Sequence, residues 1–303
     1  MPKTILLAAL LAAFTPAALA QTPSPTLLPD DPVVKIHDGE HFAWYTRQSI
    51  WKAHEADISA YFDYMDKEFA QVISDWGIEP PRKQYSLWVD PHTGGGFAAG
   101  DIGEIHKFTG RESPGIGVAY DAYFGTGPGK IKSFWACAIG THETMNLLTG
   151  QLVSGGWPRN WWADDISPFP AMSAVRVEAE LGRNDISTVH DASFHGDKLY
   201  AMFKAMQAHY GWAIFQKTFT LVKADGVKWD HIDSGKNPSP VLTAYVTAYL
   251  VLGSGDTLDN LDANYFSKNI PGYDKALTAK VLAARDAWKN HGGDAAAYLS
   301  GKY

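Results

Sequence analysis

The chain has 303 residues, of which 46% are hydrophobic and 13% aromatic, enough to bury one large core or two lobes about a cleft. Its formal net charge of -7 offers no basic footprint for nucleic acid, so no polyanion partner is implied. A single cysteine, Cys137, excludes an internal disulfide and leaves packing or a bound ion to hold the fold.

Residues Met1 to Ala20 read as a secretory signal: Lys3 gives the positive start, Ile5 to Phe14 the apolar run, and Ala18-Leu19-Ala20 the small-residue cleavage pattern. A secreted or periplasmic location is expected. No later stretch reaches the ~20 apolar residues of a membrane span, so the processed chain is expected to be soluble. Gln21 to Pro32, rich in Pro, Ser and Thr, reads as a flexible leader. The remainder, 33–303, is expected to form one unit of two lobes, an α+β lobe over 33–150 and a helical lobe over 151–303.

Val33 to Gln48 suggests an edge strand around His41 to Tyr45. From Ile58 to Trp76, apolar residues Tyr61, Phe62, Met65, Phe69, Val72, Ile73 and Trp76 recur at three and four, the period of an amphipathic helix. Gly77 ends it, and Pro80-Pro81 prevents its continuation. Gln84 to Val89 alternates as a strand, and Ile116 to Tyr120 is a second strand. Between them, His92-Thr93-Gly94-Gly95-Gly96-Phe97-Ala98-Ala99-Gly100 reads first as a mobile loop. Its other reading is a place where a substrate backbone approaches an edge strand. It is no phosphate loop, because no Gly-Lys-Ser/Thr follows before a helix.

Gly125 to Gly129 reads as a turn, and Ile131 to Leu148 as an apolar helix closed by Gly150, with Cys137 a buried small residue rather than a nucleophile. Gly155 to Pro170 is dense in Trp and Pro, and Met172 to Leu181 is helical. His190 and His195 follow in Val189-His190-Asp191-Ala192-Ser193-Phe194-His195. Leu199 to Tyr210 and Trp212 to Lys223 read as paired helices. Pro238 to Gly253 is an apolar helix burying Leu242, Tyr245, Tyr249 and Leu250. Leu258 to Phe266 and Ala276 to Lys289 complete the helical lobe, and no repeat of period 20 to 50 is present.

The chemistry concentrates between Ile139 and Ala174. On a helix, His142 and Asn146 of His142-Glu143-Thr144-Met145-Asn146 are four apart and project from one face, with Glu143 beside it. After Gly155-Gly156-Trp157-Pro158 come Trp161-Trp162-Ala163-Asp164-Asp165. A second His-Glu pair, His54-Glu55, is followed by Ile58 rather than a polar residue.

These elements resemble the H-E-x-x-H helix and the P-x-x-W-L-x-E segment of gluzincin metallopeptidases, over about Asp57 to Leu261 and closest to the basic-secretory and enhancin-like branches. A later Tyr210-Gly211-Trp212-x-x-Phe215 helix is similar too. The chain departs from that pattern at Asn146 for His and at Asp164 for Glu. The resemblance implies an α+β, zincin-like two-lobed fold: a small mixed sheet with the active-site helix, then a helical C-terminal lobe. It implies metal binding by His142 and by Asp164, or by Asp165 if the commonest spacing is counted, with Asn146 at the remaining ligand position. Glu143 becomes the general base that takes a proton from the attacking water. Zinc is the implied ion, although a neutral amide oxygen weakens zinc and disfavours Mn or Ca less. The implied partner is a peptide or glycopeptide substrate.

His190 or His195 would supply the missing imidazole or stabilise an oxyanion; the plainer reading makes both surface loop histidines paired with Asp191 or Asp197. Two other functions stay open. In a catalytically inactive relative, Asn146 and Glu143 hydrogen-bond one another and the groove only binds peptide or glycan. In a glycoside hydrolase, Trp157, Trp161 and Trp162 stack on sugar while Asp164, Asp165 and Glu143 serve as carboxylates, though core packing is the plainer use of those rings.

Overall fold

The computed structural model describes residues 31–77, 79–90, 96–119, 133–148, 168–228, 232 and 239–302. The architecture is α+β: a small mixed sheet of five strands near the N-terminus, and helices through most of the rest. The expected signal, and the expected leader as far as residue 30, lie outside the described residues; at the leader's end Asp31 is buried and, with Pro32, accepts N–H bonds from Ser49 and Gln48.

The sheet runs in the order β1 (Val33–Asp38), β2 (Phe42–Arg47), β3 (Tyr85–Asp90), β5 (Gly115–Ala119), β4 (Gly96–Ala99). β2, β3 and β5 are parallel, and the two outer strands β1 and β4 are antiparallel to their neighbours. Phe42 to Tyr45 are all buried, so this segment is an interior strand and not the edge its sequence suggests. β1, with half its residues exposed, takes the edge. β4 occupies the end of the glycine-rich stretch that reads as a loop.

Parallel neighbours need a long crossover. Between β2 and β3 it is α1 (Gln48–Trp76), closed by Gly77 in the left-handed conformation with its N–H on Ile73 O. The apolar stripe from Ile58 to Trp76 lies buried as the periodicity demands. The helix also extends ten residues upstream of that stripe, bent at His54, through a largely solvated segment with no apolar repeat to announce it. One face of the sheet, with Phe42, Trp44, Leu87, Val89, Ile116 and Val118, joins the main core. The other carries a smaller cluster of Ala43, Tyr45 and Trp88, covered by Ile105 of the short α2 (Gly103–Thr109).

The helical part follows with α3 (Ser133–Met145), α4 (Pro168–Glu180), α5 (Asn184–Ser193), α6 (Lys198–Tyr210) and α7 (Ala213–Asp225). Then come α8 (Pro240–Ser254), α9 (Leu258–Leu261) with a π-helical turn at Asp262–Phe266, α10 (Lys275–His291) and α11 (Ala295–Leu299). α8 is buried on every side, as a helix apolar all round must be. Side-chain oxygens of Asp197, Ser239, Asp274 and Asp294 cap the N-termini of α6, α8, α10 and α11. No single described helix is long and apolar enough to cross a membrane.

Buried side chains from both halves form one contiguous core. Its polar seam is the end of α1: the Asp75 carbonyl accepts N–H bonds from Trp212 Nε1 (3.0 Å) and Gln216 Nε2 (2.5 Å), and Arg176 Nε reaches Asp75 Oδ2 at 3.0 Å. Trp76 Nε1 donates to Ser173 Oγ at 3.0 Å. Toward the C-terminus, the nearly fully buried Asp225 binds Arg285 Nε (2.5 Å), Lys289 Nζ (2.7 Å) and the Tyr249 hydroxyl (2.7 Å), joining α7, α8 and α10.

α8 and α7 approach through Gly253, where a Cβ would stand 2.1 Å from Thr218 Oγ1 and 2.8 Å from Ile214 O. Gly253→Ala is therefore expected to cost about 1–3 kcal/mol by overpacking, seen as a fall of several degrees in the thermal midpoint. An unchanged midpoint would show that the two helices are not packed this closely.

Candidate active site

Helix α3 carries the candidate chemistry, and its placement follows from two close contacts. On one side it presses on α1 at Gly140, where a Cβ would lie 2.1 Å from the Tyr61 hydroxyl and 2.6 Å from Met65 Sδ. On the other it meets edge strand β4, where a Cβ on Gly96 would lie 2.4 Å from Ile139 Cγ2 and 3.0 Å from Glu143 Cγ. A side chain at Gly140 would have to push aside the ends of Tyr61 and Met65, and one at Gly96 would meet Ile139, Glu143 and the Gly117 carbonyl, 3.1 Å away.

The α1 side is polar within the core. Thr141 Oγ1 donates to Cys137 O at 3.0 Å, so the Tyr64 hydroxyl, 3.2 Å away, donates to Thr141. Thr144 Oγ1 lies 3.0 Å from both Gly140 O and Glu68 Oε2, and its one proton can serve only one acceptor. The second bond is complete if Glu68 is protonated and donates. The environment supports that state: Glu68 is wholly buried, burial pushes its carboxyl well above the usual range, and Glu178 adds to the effect. Its Oε1 has no hydrogen-bond partner among the described residues. Cys137 is buried as expected, its thiol pushed up to about 12 chiefly by desolvation, which removes it as a nucleophile near neutrality.

His142 is partly exposed as a residue. Burial of its ring, with a lesser contribution from His190, pulls its pKa down to about 4, so the imidazole is neutral near pH 7. No described residue hydrogen-bonds to it. Glu143 points toward β4, and Asn146 Nδ2 donates to Glu143 Oε2 at 3.2 Å. Asn146 begins a π-helical turn over 146–148 that follows the α-helix ending at Met145. Asn146 thus contacts Glu143, the bond that the sequence reading attached to an inactive relative.

The two downstream histidines part company. His195 is exposed, its side chain 73% accessible, and pairs loosely with Asp191 at 3.8 Å, as the plainer reading expects. His190 does not fit that reading. It lies in the last turn of α5, buried, with Nδ1 at 2.9 and 3.1 Å from the two oxygens of Glu178, itself fully buried on α4. Desolvation raises the Glu178 carboxyl, and the His190 bond opposes the rise.

Asp164, Asp165, Trp157, Trp161 and Trp162 lie outside the described residues, as do 91–95 of the glycine-rich stretch. Among the described residues, no group of three or more His, Cys, Asp or Glu is arranged to hold a metal ion. Glu68, Tyr64 and Glu178 were absent from the candidates chosen by sequence. A faint signal existed: Glu68 falls on the Tyr61, Met65, Val72 stripe, and Glu178 follows Ala171 and Ala174 at helical spacing, so each is a carboxylate where the pattern calls for an apolar residue.

Compared with protein-family models, with curated proteins and with solved structures, the chain has no match in any of the three.

Glu68 provides a test of the seam. Its folded-state pKa is raised above the ordinary 4.5. Its neutral form therefore supports the fold fully below that value, and this support falls as pH rises, by up to about 1.4 kcal/mol per unit until the folded pKa is passed. Glu68→Gln, which cannot ionise, should match the parent near about pH 4 and exceed it in urea stability near about pH 8. Parallel stability profiles for the two proteins would contradict a neutral Glu68.

Proposed function

We propose that the chain is an exported, metal-dependent, peptidase-like hydrolase of gluzincin type, in which Glu143 is the general base. The observation that carries this reading is the setting of Glu143: one residue after a neutral histidine, with its Cγ against the antiparallel edge strand β4 through Gly96. A small mixed sheet with an antiparallel edge beside the candidate helix is the layout that a zincin-like fold requires. An extended substrate can add to such an edge through main-chain hydrogen bonds.

The residues fit an ion in part. His142 offers an uncharged imidazole with no competing hydrogen bond to a described residue. Asn146 engages Glu143 through its N–H, leaving only its amide oxygen for a ligand role. Asp164 or Asp165 remains the proposed carboxylate ligand. Zinc, or Mn or Ca if oxygen donors dominate, would supply Lewis acidity toward water and a scissile carbonyl. Glu143 accepts the proton of the attacking water and returns it to the leaving amine of a peptide or glycopeptide, while the Asn146 amide fixes one of its oxygens. The signal-like start supports an exported enzyme, and the acidic balance gives nucleic acid no role.

One observation favours a second reading. The Asn146–Glu143 bond is what a catalytically inactive relative would use to satisfy two former site residues. In that case the groove binds peptide or glycan without turnover.

Glu143→Gln separates the two. Peptide hydrolysis by the purified chain should fall by about 10²–10⁴-fold in kcat, with KM and thermal midpoint little changed, and a chelator should abolish the parent activity. Turnover that survives both treatments would exclude a metal-dependent mechanism with Glu143 as base; no turnover in the parent would favour the binding reading.

A further inference from the structure

Where α1 meets the helical half, four side chains close into a ring that none of the preceding chemistry uses. Gln71 and Asp75 stand four apart on α1, and Arg176 and Glu180 four apart on α4, so each pair shares a helical face. Gln71 Nε2 donates to Asp75 Oδ1 at 3.0 Å and to Glu180 Oε2 at 2.9 Å. Arg176 completes the circuit, with Nε on Asp75 Oδ2 at 3.0 Å and Nη2 on Glu180 Oε1 at 2.5 Å. All four carboxylate oxygens are engaged, yet two carboxylates face one guanidinium, and the amide brings no charge. Asp75 is buried and Glu180 only part-exposed, so water screens the excess charge incompletely. Asp75 also carries the contact onward: its carbonyl accepts from Trp212 and Gln216 of α7, and the Arg176 guanidinium lies 4.8 Å from the centre of the Trp212 ring.

Among the described residues no second cation pairs with the ring. Lys67 of α1, Lys198 and His209 of α6 and Lys217 of α7 are exposed. Lys204 and Tyr210 of α6 are held by Asp191 and Asp256. Glu178 of α4 is turned to His190 of α5, Glu68 of α1 meets Thr144 of α3, and α3 presents the uncharged Met145 to Ser173. One proton would therefore neutralise the ring, and carboxyls that share a site take up such a proton as a pair. Burial, followed by hydrogen bonding and repulsion from Asp75, holds the Glu180 carboxyl above its usual range, against the opposing effects of Arg176 and Gln71.

We infer that the Gln71–Asp75–Arg176–Glu180 ring is a proton-operated latch between the sheet-bearing and helical halves: one proton shared by its two carboxyls closes it in mild acid, and loss of that proton as pH rises loosens α1 from α4. A carboxyl raised in the folded state supports the fold fully below its unfolded value, 4.5 for Glu180, and that support is lost as pH rises through the folded value.

The test compares the full chain with Glu180→Gln, which keeps the shape and cannot ionise, in urea midpoint and in amide hydrogen exchange corrected for the intrinsic rate. The two midpoints should coincide near about pH 4, and the variant's should stand higher by about pH 8. At the higher pH the parent should exchange faster than the variant over residues 71–77 and 176–182, with no difference in α8. Glu68 is common to both chains, so the divergence belongs to Glu180. Glu180→Ala, which also lacks the proton site, should gain on the parent over the same pH range and serves if the Gln variant does not fold. Parallel midpoint profiles, or a variant that loses stability relative to the parent as pH rises, would reduce the ring to a plain ion pair and overturn the latch. So would a divergence whose faster exchange extends equally through α8.

Discussion

The seating of α3 is the constraint on which the rest depends. Gly140 and Gly96 present hydrogen atoms where the helix meets α1 and β4, and a Cβ at either would fall within 2.4 Å of a neighbouring side-chain atom. Once it is so placed, its rotation is limited by the two threonines on its inner face, Thr141 beneath Tyr64 and Thr144 against Glu68. Each of these bonds would be worth about 1 kcal/mol net, but a mismatched register would leave buried polar groups unpaired at about 1–3 kcal/mol each, and that asymmetry selects the observed rotation. With this face turned inward, Glu143 lies against β4.

The same interior accumulates ionisable groups to an unusual degree. Glu68, Glu178, His190, Tyr64 and Cys137 lie within the packing of α1, α3, α4 and α5. Apolar residues of similar volume would pack as well and avoid the desolvation. Elsewhere the buried charges have an evident structural use: Asp225 joins three helices with two cations and a tyrosine, and Asp75 ties α1 to α4. No cation neutralises Glu68 or Glu178 in the same direct manner among the described residues. The cluster lies against the helix of His142 and Glu143, so its cost is most simply accounted for by the site beside it.

Much of this architecture is legible in the residues. The stripe from Ile58 to Trp76, the largely apolar Pro240–Ser254 and the paired helices before it follow from periodicity, because burial there is one-sided or nearly complete. β4 was hidden because its glycines, needed for close approach to α3, resemble a loop in composition. α5 was hidden because Asn184 to Ser193 buries only Ile186, Ser187 and His190, too few to set a period. At the site, His142, Glu143 and Asn146 were recognisable as a group, but the π-helical turn that begins at Asn146 has no local signature. The partnership of Glu178 with His190 depends on the packing of two helices joined by a three-residue connection, which no spacing rule specifies.

Metal content of the chain purified without added metal tests most directly whether this buried polar architecture serves a hydrolytic centre. The account predicts about one divalent transition metal per chain, removed by chelator while the helical circular dichroism persists. A chain that is metal-free as purified, and stays so after incubation with zinc, would contradict it.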